Sequence, residues 1–220
     1  MLDLEFMHRY LPWYVDAAVL TLNISLWGIV LSIATGLFCA SAIMMRIPVL
    51  LQACRVYIEL SRNTPLLVQL FFLYFGLPKI GLSISGEWCA IIGVAFLGGS
   101  YMAEAIRASL ESIPKSQHES AAVLGFTRFQ AMYLIIIPQA FALAVPALVA
   151  NVIFLIKEIS VVSAIALADL MYVTKDLIGL YYKTNEALLM LVVSYLIILL
   201  PISLLGSVLE RRVRHASFGS

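Results

Sequence analysis

Three blocks of the chain, residues 17–45, 129–156 and 187–209, contain no Asp, Glu, Lys or Arg. Roughly 20 apolar residues rising 1.5 Å each cross a 30 Å hydrocarbon core, so each block predicts a membrane-spanning helix. Two further stretches are apolar but interrupted. Residues 54–76 carry Glu59, Arg62, Asn63, Thr64 and Gln69 around a central Pro65; a proline is tolerated in a membrane helix when neighbouring groups satisfy the carbonyl it frees. Residues 87–110 are broken late by Glu104 and Arg107, three apart on one helical face. The pattern predicts an all-α integral membrane protein with about five transmembrane helices, 17–45, 54–76, 87–110, 129–156 and 187–209. One domain, 17–210, follows an extracytoplasmic segment 1–16 and precedes a cytoplasmic tail 211–220.

Composition sharpens this picture. Of the 220 residues, 62 % are hydrophobic and 12 % charged, against roughly 45–50 % and 25 % in soluble domains, which excludes a soluble globule. Fourteen basic and 13 acidic residues leave a net charge of +1, no general field for a nucleic acid. Cys39, Cys54 and Cys89 share no close spacing and read as small core residues rather than a metal or disulfide set. Acidic Asp3 and Glu5 precede the first apolar block, so no cleaved signal is expected.

An odd number of spans puts the termini on opposite sides. Arg46, Arg55, Arg107, Lys115, Arg128, Arg211, Arg212 and Arg214 flank one set of ends; Arg9, Lys79, Lys157, Lys175 and Lys183 flank the other. Because basic residues accumulate in cytoplasmic loops, the N-terminus is expected outside and the C-terminus in the cytoplasm. Trp13, Tyr14, Trp88, Tyr181 and Tyr182 then suit the outer interface.

The loop between the third and fourth spans carries its own start and stop signals. Pro114 closes one helix, Ser116-Gln117-His118-Glu119 has the S-x-x-E pattern of a capping box, and Gly125 ends a short helix over about 117–124. Thr127-Arg128-Phe129-Gln130 repeats the signal as T-x-x-Q at the start of the next span. Ala121, Ala122 and Leu124 would give this helix a small apolar surface suited to docking. Residues 157–186 hold charges at 157, 158, 169, 175 and 176 and read as a short helix near the outer mouth rather than a full span.

The chain lacks G-x-x-x-x-G-K-[ST], H-E-x-x-H and G-x-S-x-G, and His8, His118 and His215 are far apart in sequence. It is expected to bind no metal or cofactor and to hydrolyse no ATP. What remains is a set of polar residues within spans, which by default mark a pathway, a pair or an interface.

Glu119-Ser120-Ala121, Gly125 and Ile135-Ile136-Ile137-Pro138 resemble the E-A-A…G…I-x-L-P signature of binding-protein-dependent ABC importer permeases. SRNTPLLVQLFFLYFGLP (61–78), SYMAEAIRASLESIPKSQHESAAVLGF (100–126) and KEISVVSAIALADL (157–170) resemble the polar amino-acid branch of that family. Ser120, Asn63, Ser116 and Ile159 depart from the family's usual alanine, glycine, glycine and threonine.

The resemblance implies a type I transmembrane domain in a bacterial cytoplasmic membrane. A coupling loop at 115–126 would dock an ATPase subunit through Ser116, Gln117, Glu119, Ser120, Ala121, Gly125 and Phe126. The partners implied are two ATPase subunits carrying ATP and Mg, a second copy or a homologous permease, and an extracytoplasmic binding protein delivering a polar amino acid. Asn63, Thr64, Asn151, Lys157 and Glu158 are candidates for the solute path or its gate. Glu59 with Arg62, and Glu104 with Arg107, are expected as structural ion pairs. The rival reading is an ATP-independent secondary transporter or channel, although such folds usually show inverted repeats with paired broken helices. A membrane-embedded enzyme would need a nucleophile–base or metal constellation, and none is legible.

Overall fold

The computed structural model describes the backbone of residues 2–218 and the side chains of residues 2–213. Every regular element among them is helical: α1 (Leu4–Met45), α2 (Pro48–Arg62), α3 (Leu66–Phe71), α4 (Gly86–Glu111), α5 (Lys115–Val123), α6 (Arg128–Ala131), α7 (Ile137–Glu158), α8 (Leu170–Tyr181) and α9 (Thr184–Phe218). The side chains of Arg214 and His215, and residues 219–220 of the expected tail, lie outside the described residues.

Four helical segments are individually long and apolar enough to cross a membrane: Leu4–Met45, Gly86–Glu111, Arg128–Ile165 and Thr184–Val213. The stretch expected as one span over 54–76 is instead two helices meeting at Asn63-Thr64-Pro65. Pro65 cannot donate a backbone hydrogen bond and pushes Thr64 out of helical geometry, so α2 stops at Arg62 and a shorter apolar helix, Leu66–Ile80, begins anew. The first sixteen residues do not form a separate segment, because α1 starts at Leu4, capped by Asp3, and runs unbroken past residue 17.

The bundle is built around the pairing of α1 with α4. Gly28, Ser32 and Gly36 recur every four residues on α1, opposite Val94, Gly98 and Met102 with the same period on α4. Small residues at this spacing let two membrane helices approach closely. A Cβ on Gly36 would stand 2.5 Å from Met102 Cβ and 2.9 Å from the Ala103 nitrogen, so this contact has no room for alanine. Ile24, Leu70, Ile91, Leu155 and Ile159 fill the core around it, drawing in α3, α7 and the 3-10 turn Ile159–Ile165.

Two prolines are accommodated by the same local device. A π turn over Phe72–Gly76 precedes Pro78, and another over Met132–Ile136 precedes Pro138. In each, the residue before the proline donates five residues back, Leu77 to Phe72 and Ile137 to Met132, in a wider turn than the α-helix makes.

At the opposite end from α5, the N-terminus is clamped. Lys183 Nζ donates to Asp3 Oδ2 at 2.9 Å, and the Asp3 N–H donates to Glu186 Oε1 at 3.0 Å. The Phe6 N–H on Asp3 Oδ1 and the neighbouring Lys183 hold the Asp3 carboxyl below its ordinary range. Tyr14, expected at an outer interface, is buried: its hydroxyl lies 2.9 Å from Thr174 Oγ1 and donates to the Ala187 carbonyl at 2.8 Å. Trp13, Trp88, Tyr181 and Tyr182 are exposed.

Candidate functional site

The loop between α4 and α7 is an elbow built around the short helix α5. Pro114, with φ −60° and ψ 143°, occupies the N-cap position of α5. Ser116 is therefore already inside the first turn, and the expected Ser116–Glu119 capping box does not form; no side chain caps this helix. Its other end closes entirely through backbone. The Gly125 N–H donates to the Ala122 carbonyl at 3.1 Å and the Phe126 N–H to the Ala121 carbonyl at 3.0 Å, the paired bonds of a Schellman stop. Gly125 sits at φ +81°, where glycine alone is unstrained, while a Cβ there would meet nothing within 4 Å. Conformation, not crowding, calls for glycine. Two residues on, Thr127 and Gln130 form a complete capping box, as the T-x-x-Q pattern predicts.

The elbow has an inner and an outer side. Ala121 is 1 % exposed, and Gln139 on α7 donates from Nε2 to Gln117 Oε1 at 3.3 Å, anchoring α5 to the bundle. Ile113 packs with Ile136 and Ala140 beneath it. Ser116, Glu119, Ser120, Ala122 and Gly125 are exposed, with Val123 at 86 % and Leu124 at 73 %. The small apolar surface is thus Ala122, Val123 and Leu124; Ala121, expected there, faces inward. Phe126 is half-buried beside them.

The second polar region surrounds the α2–α3 break. The carbonyls freed at the break are satisfied from one side chain: Gln69 Nε2 donates to Ser61 O at 3.2 Å and to Thr64 O at 3.0 Å. Asn63 Nδ2 donates to the Glu59 carbonyl (2.8 Å) and its carboxylate (3.2 Å), and Thr64 Oγ1 donates to Leu60 O (2.8 Å). Ser61 Oγ donates to Phe96 O (2.8 Å) and reaches Ser100 Oγ (3.0 Å), tying the break to α4. Gln69 Oε1 is buried without a partner among the described residues.

Beside this break lies a cleft of about 200 Å³ whose lining includes Arg62, Asn63, Thr64, Tyr101, Phe154 and Glu158. The Arg62 guanidinium lies 5.5 Å from the Tyr101 ring centre and its Nη1 is 3.9 Å from Glu104 Oε1. Arg62 therefore pairs across to α4 and not with Glu59, whose carboxylate accepts from Asn63 instead. Glu104 also accepts from Arg107 Nε at 3.0 Å, and Arg107 continues to Glu111 at 2.6 Å.

Known proteins compare with the chain as follows. The family described as "Binding-protein-dependent transport system inner membrane component" matches residues 12–215. The chain belongs to that family. PatM of Vibrio harveyi, described as a probable amino-acid ABC transporter permease, is 37 % identical to this permease over 172 residues, 77 % of each chain. YxeN of Bacillus subtilis, described as a probable amino-acid permease, is 33 % identical over 213 residues, 96 % of this chain and 95 % of its own. A solved "amino acid ABC transporter with histidines" superposes with a TM-score of 0.90 at 33 % identity, covering 96 % of the permease and 99 % of that chain. The inward-facing methionine ABC transporter MetNI shares the fold, with a TM-score of 0.75 at 20 % identity over 93 % of this chain and 98 % of its own.

The permease is thus a multi-pass membrane subunit of an ABC importer, a transport component in its family role. Of the pathway candidates, Asn63, Thr64 and Glu158 meet at the cleft. Lys157 is exposed outside its lining, and Asn151 donates from Nδ2 to Tyr101 O at 3.2 Å, bracing the cleft wall from α7. Sequence reasoning gave no specific role to Tyr101, Phe154 or Gln69. Only Gln69 carried a signal: a polar side chain one turn after a proline in an apolar run stands where it can reach the freed carbonyls.

Proposed function

We propose that this permease carries a polar amino acid through an ATP-driven importer in the bacterial cytoplasmic membrane. The α5 elbow docks a separate ATPase subunit, which holds the ATP and Mg, and an extracytoplasmic binding protein delivers the solute. The observation that carries the reading is the outer side of α5: a short helix closed by its own backbone leaves Ser116, Glu119, Ser120 and the Ala122–Val123–Leu124 patch free for a partner. In this arrangement α2 and Leu66–Ile80 together make a fifth crossing, the N-terminus lies outside and α5 lies in the cytoplasm, in keeping with the basic residues near it. Two permease subunits, identical or homologous, enclose the route. ATP and loaded binding protein favour different states of the bundle and so shift its populations.

A zwitterionic amino acid presents one ammonium and one carboxylate, and the cleft lining holds both Glu158 and Arg62 together with the Tyr101 and Phe154 rings. The names of the relatives support the substrate class.

The test is co-purification of the tagged permease with its ATPase in mild detergent. Gly125→Arg is expected to leave membrane insertion intact and to abolish ATPase recovery; normal recovery would sink the docking role. In the assembled transporter, Glu158→Gln is expected to raise the KM for uptake about tenfold or more, while Lys157→Met changes uptake little. Equal effects of the two would remove Glu158 from the solute path.

A further inference from the structure

A lateral crevice of about 380 Å³ opens between α1, α4 and α7 at the end of the bundle that carries α5, with Leu209 of α9 at its rim. It exists because small residues face one another. Ala40 on α1 and Ala140 and Ala144 on α7 leave a gap that the longer side chains of Leu37, Met102 and Leu148 border but do not fill. Helix α9 borders it through Leu209 and packs on α7 where Gly206 meets Val149, itself a lining residue. Ser41 is the single polar side chain in the lining.

Along α1 the lining runs from Ile33 to Met44, twelve residues, which is about 17 Å of helix and close to half of a 30 Å hydrocarbon core. The crevice is therefore about one leaflet deep on α1 and deeper on α7, where its lining runs from Ile137 to Val152, and it runs parallel to the acyl chains around it. Protein interiors are close-packed, and an apolar void of this kind takes up apolar molecules in preference to water.

The rim adds charge to this shape. Arg46 is the C-cap of α1, two residues beyond Met44. Arg212 lies three residues beyond Leu209, on the same face of α9, with Arg211 beside it. All three are exposed, and none forms an ion pair among the described residues. Next in sequence to the lining residues Leu110 and Leu209 stand the acids Glu111, engaged by Arg107, and Glu210. Basic rims over gaps between membrane helices on the cytoplasmic side suit anionic lipid headgroups.

We infer that this crevice is a binding site for one phospholipid of the α5-side leaflet, its acyl chain between α1 and α7 and its anionic headgroup held by Arg46 and Arg212. The site is separate from the cleft at the α2–α3 break and needs only the membrane setting of the spans. Its occupant wedges α1, α4 and α7 at the level of Leu110 and Ile137, directly behind the α5 elbow.

The test uses the assembled transporter in bilayers of mixed phosphatidylglycerol and phosphatidylcholine, followed by detergent extraction and native mass spectrometry of retained lipid. Wild type should keep about one phospholipid per permease chain, enriched in phosphatidylglycerol. Ala144→Phe fills the crevice and should remove that lipid. Arg46→Gln combined with Arg212→Gln should keep a lipid but lower the phosphatidylglycerol preference by about an order of magnitude. Both arginines are exposed, so this variant remains informative if Ala144→Phe does not fold. No retained lipid in wild type, a preference unchanged in the arginine variant, or a folded Ala144→Phe that retains lipid as wild type does would each overturn the site. Because the readout is lipid mass and not uptake, the transport reading stands or falls separately.

Discussion

The α5 elbow and the α2–α3 break are both places where a proline interrupts a helix, yet they are repaired in opposite ways. At the elbow, backbone closes backbone: Gly125 and Phe126 N–H groups cover the last carbonyls, and the side chains outside remain uncommitted. At the break, side chains do the closing: Gln69, Asn63, Thr64 and Ser61 are all spent on carbonyls or on one another. The difference follows from surroundings. A freed carbonyl at an exposed elbow can turn to water, but within a bundle it must find a protein donor. A segment whose backbone is self-sufficient can offer its side chains to a partner; a segment held by its side chains can only shape a cavity.

The contrast predicts where substitutions hurt. Gln69→Leu should be the most damaging, because it strands two inward carbonyls at about 1–3 kcal/mol each, and thermal unfolding in detergent should show a Tm several degrees lower. A Tm equal to wild type would mean that water, not Gln69, satisfies the break. At the elbow, Thr127→Ala removes a real cap and should cost about 1 kcal/mol. Its apparent twin Ser116→Ala should cost less than about 0.5 kcal/mol, since Ser116 caps nothing; the same unfolding assay separates them.

The subtlest effect concerns a side-chain repair in the connection between the third and fourth long apolar segments. Buried Asp169 caps α8 by accepting from the Met171 and Tyr172 N–H groups, and burial pushes its carboxyl up to about 6. A raised carboxyl binds its proton more tightly folded than unfolded, so its contribution weakens as pH climbs from about 4 to 6 and stays flat above. Asp169→Asn keeps a capping oxygen without the charge. Its Tm advantage over wild type should therefore grow across that interval and level off; a constant difference would show that Asp169 does not titrate there.

Much of this was legible beforehand, and the exceptions share a cause. The three uncharged blocks, the short helix expected over about 117–124 and found at Lys115–Val123, its stop at Gly125 and the Thr127–Gln130 box all depend on residues within a turn of each other. The Ser116–Glu119 box failed for a local reason, because Pro114 had already taken the cap position. Arg62 was assigned to the wrong acid because Glu104 stands on another helix, and sequence spacing carries no information about that neighbour. Tyr14 reads as an interface aromatic until α8 and α9 are seen closing over it. The cleft was visible only as scattered polar residues, since Tyr101 and Phe154 become its walls through the packing of α4 against α7.

The π turn at Met132–Ile136 holds one residue more than an α-turn would, which sets every side chain beyond it back by about 100° from its place in an uninterrupted helix. Arg128 and Phe129 on one side, and Ala140 and Ala144 on the other, therefore point along azimuths that an uninterrupted helix of the same residues could not combine. The elbow and the span are aimed independently without a loop between them. Deleting one residue of 132–136 would restore a uniform α period, leave Arg128 and Phe129 on their present azimuths relative to Ala140 and Ala144, and drive the Pro138 ring against the carbonyl four residues before it.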